Sequence, residues 1–260
     1  METRYNASVN GVWLSDLDER VVVTDIREGR PDARVVVAEK PANAGVFFAR
    51  ANRKSLSVTV AFVLWERDVS ERKKLLDQVK TWAGNNLVKL KTNDRPGQYL
   101  NARMIEPPVI ESAMKWLDEI ELSFTAYEVP FWRAEEPVTA VTQGATANVY
   151  IPGNGEAFAD VTITNKGDDP FTGVWIYADE SMVAFNGLYI PKGGTLAVYH
   201  DETGILHAKA NDQPALELRS VESDDDLIVQ CGKQTGFSIS FFEDENPDVE
   251  AVFTVQGVYV

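Results

Sequence analysis

Residues 56–65, LSVTVAFVLW, are the stretch that decides the fold of this chain of 260 residues. Apolar side chains occupy every second position from its start, and Ser57 and Thr59 stand between the first of them. A period of two is typical of a β-strand with one buried face. The stretch therefore predicts a strand whose inner face is formed by Leu56, Val58, Val60, Phe62 and Leu64.

The far end of this stretch is apolar on its other face as well, because Ala61, Val63 and Trp65 lie there. A strand that is hydrophobic on both sides needs a second partner, which is either another element of the chain or another subunit. We take Ala61, Val63 and Trp65 as candidates for contact between subunits.

A helix is predicted next, at residues 70–84. Asp68 or Ser70 can cap its start, and Gly84 stands where a left-handed C-terminal cap belongs. Strands at 87–92 and 99–105, joined by the turn DRPG at 94–97, and a strand at 120–126 complete the block. The core face of the helix is expected to contain Leu75, Leu76, Val79, Trp82 and Ala83.

The second half of the chain has no helix signal. It contains short strand candidates separated by turn clusters, which favours an antiparallel sandwich. The fold class predicted for the whole chain is therefore mainly β with one helix. The strand candidates are 146–151, 159–164, 174–178, 195–199, 216–221, 227–230, 237–242 and 251–259, with Asn186-Gly187 among the turns.

Charge divides the chain at Trp132. Residues 1–132 carry 19 Lys+Arg and 19 Asp+Glu, whereas residues 133–260 carry 6 and 21, so the net charge of −15 belongs to the second half. We expect two domains, 1–132 and 138–260, with a linker at 133–137 and with Phe131 and Trp132 as candidate interdomain residues. An acidic surface repels a phosphate backbone, which argues against sequence-specific nucleic-acid binding.

The sequence contains few features that indicate a cellular compartment or an association with a membrane. No stretch reaches the roughly 20 apolar residues that span a bilayer, and the first residues lack the features of a signal peptide. A single cysteine, Cys231, fits a reducing folding compartment. We therefore expect a protein that folds in a cytoplasm and does not bind a membrane.

No catalytic constellation is visible in the sequence. His200, His207 and Cys231 lack CxxC or HxxxH spacing, and we expect the two histidines at partly exposed strand edges rather than in a metal site. The acidic clusters at 224–226 and 243–245 lack the spacing of a calcium loop and are predicted as solvated loops. The sequence thus predicts no enzyme, no catalytic residue, no metal and no cofactor.

Aromatic residues on the predicted strands of the second half leave one alternative open. Trp175 and Tyr177 alternate with Val174, Ile176 and Ala178, and the pattern does not decide which set is buried. If the aromatic side chains face outwards, they are candidate contacts for a glycan, since aromatic rings stack on sugar rings; otherwise they belong to the core.

Five stretches carry a resemblance to a known family. RVVVTDI at 20–26, SVTVAF at 57–62, DRPG at 94–97 and FTAYEVPFW at 124–132 resemble the N-terminal belt domain of siphophage distal tail proteins. The last stretch, FTVQGVYV at 253–260, resembles the final strand of the galectin-like C-terminal sandwich of the same family. The resemblance implies a barrel or split-barrel belt domain with one helix, followed by a galectin-like sandwich.

The resemblance also implies a function in assembly. Distal tail proteins form a homohexameric ring at the tail tip, which joins the tail tube protein to the tail-tip hub protein around the DNA channel. A receptor-binding protein is left open as a further partner. Members that bind host sugars often carry an inserted module, for which this chain has no room. The alternative function is a carbohydrate-binding module that recognises the host envelope through the second domain.

Overall fold

The structure is a computed structural model that describes residues 5–29, 32–39, 46–106, 117–127, 130–143, 145–201, 204–242 and 247–260. The chain divides into two compact units, Met1–Trp132 and Arg133–Val260. Within the described ranges, no helix has the length and hydrophobicity that crossing a bilayer requires.

The described part of the chain is mainly β with one α-helix, as predicted from the sequence. Two 3₁₀ helices cover Leu14–Asp16 and Leu216–Leu218. The other elements, in chain order, are β1 (Ala7–Val9), β2 (Val12–Trp13), β3 (Val21–Glu28), β4 (Asp32–Glu39), β5 (Val46–Leu64), α1 (Val69–Ala83), β6 (Val88–Thr92), β7 (Gln98–Glu106), β8 (Ile120–Ala126), β9 (Trp132–Ala134), β10 (Val138–Thr142), β11 (Ala147–Tyr150), β12 (Glu156–Asn165), β13 (Phe171–Ala178), β14 (Ser181–Ile190), β15 (Thr195–His200), β16 (Leu206–Ala210), β17 (Gln213–Pro214), β18 (Ile228–Gln230), β19 (Gln234–Phe241), β20 (Val249–Val255) and β21 (Val258–Tyr259).

The first unit is built on one antiparallel sheet with the strand order β2-β1-β6-β7-β8-β5-β3, and β4 also pairs with β5. Closure into a barrel would require the two end strands, β2 and β3, to pair with each other, and β2 has only two residues. Of the two forms expected for this unit, the closed barrel is therefore not formed by the described residues.

Strand β5 is 19 residues long and begins ten residues before the strand predicted at 56–65. Its 46–55 part pairs with β4, whereas its 56–64 part lies between β3 and β8. The predicted inner face is confirmed, since Leu56, Val58, Val60, Phe62 and Leu64 are all buried.

Helix α1 begins and ends close to the predicted positions. The side chain of Asp68 accepts a hydrogen bond from the backbone N–H of Glu71, and Gly84, with φ +62°, donates its N–H to Lys80. Trp82 is less buried than the rest of the predicted core face, and its indole N–H donates to the carbonyl of Val12 at 2.7 Å. The buried apolar residues of the helix are Leu75, Leu76, Val79 and Ala83.

The second unit contains two antiparallel sheets. One has the order β10-β20-β12-β15-β16-β17, with β18 on β12, and the other has the order β11-β19-β13-β14. The ring centroids of Phe237 on β19 and Phe253 on β20 lie 4.9 Å apart, so the two sheets face each other across a shared core. The predicted antiparallel sandwich is thus the observed arrangement.

Two local predictions in this unit are wrong. β14 runs through Asn186-Gly187, because Gly187 with φ +78° lies in a β-bulge rather than in a turn. The hairpin turn is at Asp179, which adopts φ +57°. Residues 216–221 are not a strand either, since Leu216–Leu218 is a 3₁₀ helix.

The C-terminal strand is held by the loop that follows Ile151. The backbone N–H groups of Asn154 and Gly155 both donate to the carbonyl of Val258, at 2.9 and 3.1 Å. Gly153 has φ +120°, and a Cβ at this position would collide with the same Val258 carbonyl. Only glycine fits this position without a shift of the strand.

Candidate functional site

The outer face of the first unit's sheet carries an apolar patch at the end of β5. Val22 of β3 pairs with Val63 of β5, and the N–H of Trp65 donates to the carbonyl of Arg20 at 2.7 Å. Val22 and Val63 are half-buried, and Trp65 is 59% exposed. We call Val22, Val63 and Trp65 the Trp65 patch.

Ala61, the third residue predicted at this contact, lies one row further along the sheet. It is completely buried and is flanked by Asp25 of β3 and Glu121 of β8. The guanidinium of Arg27 binds both of these carboxylates, at 2.8 and 2.6 Å. Ala61 therefore offers no surface to a partner, whereas Val63 and Trp65 do.

Paired charges border the Trp65 patch. Arg20 binds Asp18 and Glu66, each at 2.8 Å, and hydrogen bonds from its guanidinium and its backbone N–H lower the pKa of Asp18 to about 2. A hydrogen bond from the guanidinium of Arg27 also lowers the pKa of Asp25. These carboxylates are therefore ionised at neutral pH, so the rim of the patch carries both signs of charge.

A groove lies between the first hairpin and α1. It is open to solvent, has a volume of about 740 Å³, and has Lys74 and Asp77 among its lining residues. The apolar side chains that line it are Val9, Val12, Leu17 and Trp82. Val12 is exposed, whereas Val9 is buried, so the groove has an apolar floor and an accessible apolar edge.

The structure decides which face of β13 is buried. Val174, Ile176 and Ala178 are fully buried, whereas Trp175 and Tyr177 lie on the outer face and are half-buried. The indole of Trp175 stacks on Phe242, with the ring centroids 4.0 Å apart. Ser240 and Ser238 of β19 stand directly opposite Trp175 and Tyr177. The outer face of the sheet thus combines aromatic rings with hydroxyl groups.

The two histidines occupy different environments. His207 is partly exposed, as predicted, and its Nε2 lies 3.1 Å from Asp201. His200 is half-buried as a residue, but its side chain is only 4% exposed, so the imidazole itself is enclosed. Its imidazole stacks on Phe158 because β12 and β15 are neighbouring strands.

The remaining predicted site residues are not brought together. Cys231 is buried, which raises the pKa of its thiol, and the described residues contain no group of three or more His, Cys, Asp and Glu that could hold a metal. Trp132 is buried and Arg95 lies 5.1 Å above its ring. The interdomain role of Phe131 and Trp132 stays a prediction, and the acidic cluster at 243–245 lies outside the described residues.

The fold has counterparts among solved structures, although comparison with protein-family models and with curated proteins found no match. The Dit protein (gp 19.1) of phage SPP1, described as a paradigm of hub adsorption apparatus in Gram-positive infecting phages, matches with a TM-score of 0.70 and 10% identity. The match covers 97% of this chain and 98% of that chain.

A weaker match is to the baseplate of phage P2 in its activated conformation with Ca, with a TM-score of 0.48 and 8% identity over 97% of both chains. The Dit match bears out, at the level of fold, the resemblance that the sequence predicts. Over almost its whole length, the chain has the fold of a phage distal tail protein.

Proposed function

We propose that this protein is a structural component of a siphophage tail tip. It forms a homohexameric ring that joins the tail tube to the tail-tip hub and surrounds the DNA channel. The observation that carries the proposal is the likeness to SPP1 Dit over nearly the full length of both chains. Its partners are further copies of itself, the tail tube protein and the hub protein, with a receptor-binding protein left open.

The surface of the first unit supports a role in assembly. A ring closes through repeated contacts between two different surfaces of the same subunit. The Trp65 patch offers a large exposed aromatic side chain beside half-buried valines, with fixed charges of both signs around it. The zero net charge of residues 1–132 means that the copies do not repel one another through this unit.

The oligomeric state tests the proposal. Negative-stain imaging of the purified protein, alone and mixed with its tail tube and hub partners, is expected to show rings with a central hole. Light scattering is expected to give a mass close to that of six chains. A protein that stays monomeric at high concentration and in the presence of both partners contradicts the proposal.

A pair of variants tests the contact itself. Trp65→Ala removes the aromatic residue of the patch, and interface aromatics often dominate binding energy. We expect the ring to dissociate at a protein concentration at least about tenfold higher than for the wild type. Tyr189→Ala is the matched control, because Tyr189 is 66% exposed but belongs to the second unit. Equal effects of both variants would mean that the patch is not the contact.

Glycan binding is a second candidate function, favoured by the outward position of Trp175 and Tyr177. Stacking aromatic rings and adjacent serine hydroxyls are the groups that hold sugar rings. Trp175→Ala and Tyr177→Ala are expected to abolish binding to a host cell-wall glycan while the circular dichroism spectrum is unchanged. A wild-type protein that binds nothing on a broad panel of cell-wall glycans rules this function out.

A further inference from the structure

The four-stranded sheet of the second unit carries no charged residue on its strands. β11, β13, β14 and β19 contain no Lys, Arg, His, Asp or Glu. The outer face of this sheet presents three aromatic rings and two hydroxyl groups. They belong to Trp175, Tyr177, Phe242, Ser238 and Ser240. A ligand on this face therefore meets neutral groups at its centre, and any preference for charge comes from the residues at the border.

An acidic residue borders the sheet along β14. The backbone N–H of Met182 donates to Oδ2 of Asp224 at 2.7 Å, and the backbone N–H of Asp224 donates to the carbonyl of Met182 at 2.8 Å. Met182 stands directly opposite Tyr177, which in turn stands opposite Ser238. Asp224 is exposed and continues this row by one position. A carboxylate thus lies two positions along the row from a ring that can stack on a ligand.

The segment that carries Asp224 is fixed to β14 at a second point. Ala184 stands opposite Trp175 and donates its backbone N–H to Oγ of Ser223 at 2.8 Å. The same hydroxyl donates to the carbonyl of Ala184 at 3.1 Å. Glu222 and Asp225, on either side of these two attachment points, are exposed. Backbone hydrogen bonds therefore set the position of the acidic border relative to the aromatic rings.

Basic residues do not offset this border. Residues 133–260 carry 21 Asp+Glu against 6 Lys+Arg, and three of the basic side chains near the sheet already bind a carboxylate. The pairs are Lys192 with Asp168 at 2.6 Å, Lys233 with Asp179 at 2.5 Å and Arg219 with Asp225 at 3.9 Å. The electrostatic field at the border is negative, so it attracts a cationic ligand and repels phosphate and carboxylate groups.

We propose that this face binds a glycan that carries free amino groups, such as a chain of glucosamine units without acetyl groups. The proposal rests on glycan binding as a function of this face and is independent of ring formation. The apolar side of a sugar ring stacks on Trp175 and Tyr177, and its ammonium groups lie towards Asp224. An ammonium group is also attracted to the face of an indole or phenol ring. A wall polymer rich in phosphate is repelled by the same border.

Two chito-oligosaccharides of equal length test the charge preference, because they differ only in their N-acetyl groups. The full chain is titrated with each by calorimetry at about pH 6, where carboxylates are ionised and free amines protonated. We expect the deacetylated probe to bind at least about tenfold more tightly than the acetylated probe at low salt. At about 1 M salt, where charges are screened beyond about 3 Å, the two affinities are expected to converge.

Two charge-neutralising variants locate the effect. Asp224→Asn keeps an oxygen that accepts the N–H of Met182 and removes the charge. We expect it to weaken binding of the deacetylated probe about two- to fivefold and to leave the acetylated probe unchanged. Asp212→Asn is the matched control, because Asp212 is exposed and its φ of +65° suits asparagine. It lies between β16 and β17 of the other sheet. Trp175→Ala is expected to lose both probes.

Four results would overturn the proposal. The first is a deacetylated probe that does not bind, and the second is equal affinity for both probes at low salt. The third is an equal effect of Asp224→Asn and Asp212→Asn. The fourth is a lysine homopeptide that binds as tightly as the deacetylated probe and still binds Trp175→Ala, which would indicate a basic protein as the partner. Glycan binding as such fails only if a broad panel of cell-wall glycans also gives no binding.

Discussion

The carboxylate of Asp68 accepts a hydrogen bond of 2.9 Å from the backbone N–H of Glu71 and so caps the first turn of α1. Loss of an N-terminal cap of this kind costs about 1 kcal/mol of folding free energy. We expect Asp68→Ala to lower the free energy of unfolding of the first unit by this amount, whereas Asp68→Asn retains most of it. Urea unfolding followed by circular dichroism measures both variants, and equal stability of Asp68→Ala and wild type would contradict the prediction.

The ion pair between Asp18 and Arg20 makes the first unit sensitive to acid. The folded structure lowers the pKa of Asp18 from 3.8 to about 2, so the unfolded chain binds a proton at a higher pH than the folded chain does. The stabilisation is therefore complete above about pH 4 and is lost as the pH falls towards 2. We expect Asp18→Asn to be less stable than wild type at pH 7, with a difference that disappears near pH 2. A stability difference between Asp18→Asn and wild type that grows on acidification would contradict the predicted direction of this pH dependence.

The collision at Gly153 predicts that two glycines with positive φ respond differently to alanine. Gly153→Ala meets both backbone strain and the Val258 carbonyl, whereas a Cβ added at Gly193, with φ +73°, would have nothing within 4 Å. We expect Gly193→Ala to cost about 1–2 kcal/mol from strain alone, and Gly153→Ala to cost more. Thermal unfolding measured by calorimetry compares the two variants. Equal losses of stability in the two variants would mean that the C-terminal strand shifts to make room for the added Cβ at position 153.

Burial of Cys231 predicts a slow reaction with thiol reagents. Desolvation raises the pKa of this thiol, and the backbone N–H of Val258 lies 3.4 Å from its sulfur. Because the thiolate is the reactive form, we expect the native protein to resist a chromogenic disulfide reagent and the urea-unfolded protein to react at once. Gly153→Ala should speed the native reaction, since it loosens the strand that covers Cys231. A fast reaction of the native wild type would contradict the burial.

The local pattern of apolar residues is sufficient to predict the buried side chains of an element wherever one face of that element is buried and the other is exposed. The period of two in residues 56–64 and the helical spacing of Leu75, Leu76 and Val79 both predicted the observed core. Asp68 and Gly84 marked the ends of the helix because capping depends on a few neighbouring residues.

Features that depend on the pairing of strands cannot be predicted from the local pattern of residues. Asn186-Gly187 predicts a turn because glycine is common in turns, yet here Gly187 accommodates a bulge and the chain turns at Asp179. The environment of His200 was also missed. Its neighbours Asp160 and Asp226 are 40 and 26 positions away, and only the pairing of β12 with β15 and β18 brings them together.

Strand β5 has a structural consequence. Its 46–55 part, about 33 Å long at about 3.3 Å per residue, is paired with β4 and continues without a loop into the strand that ends beside the Trp65 patch. The 56–64 part of this continuous backbone is hydrogen-bonded on one edge to β3 and on the other to β8. The far end of the β4–β5 pair and the Trp65 patch are therefore joined by one extended backbone rather than by a loop.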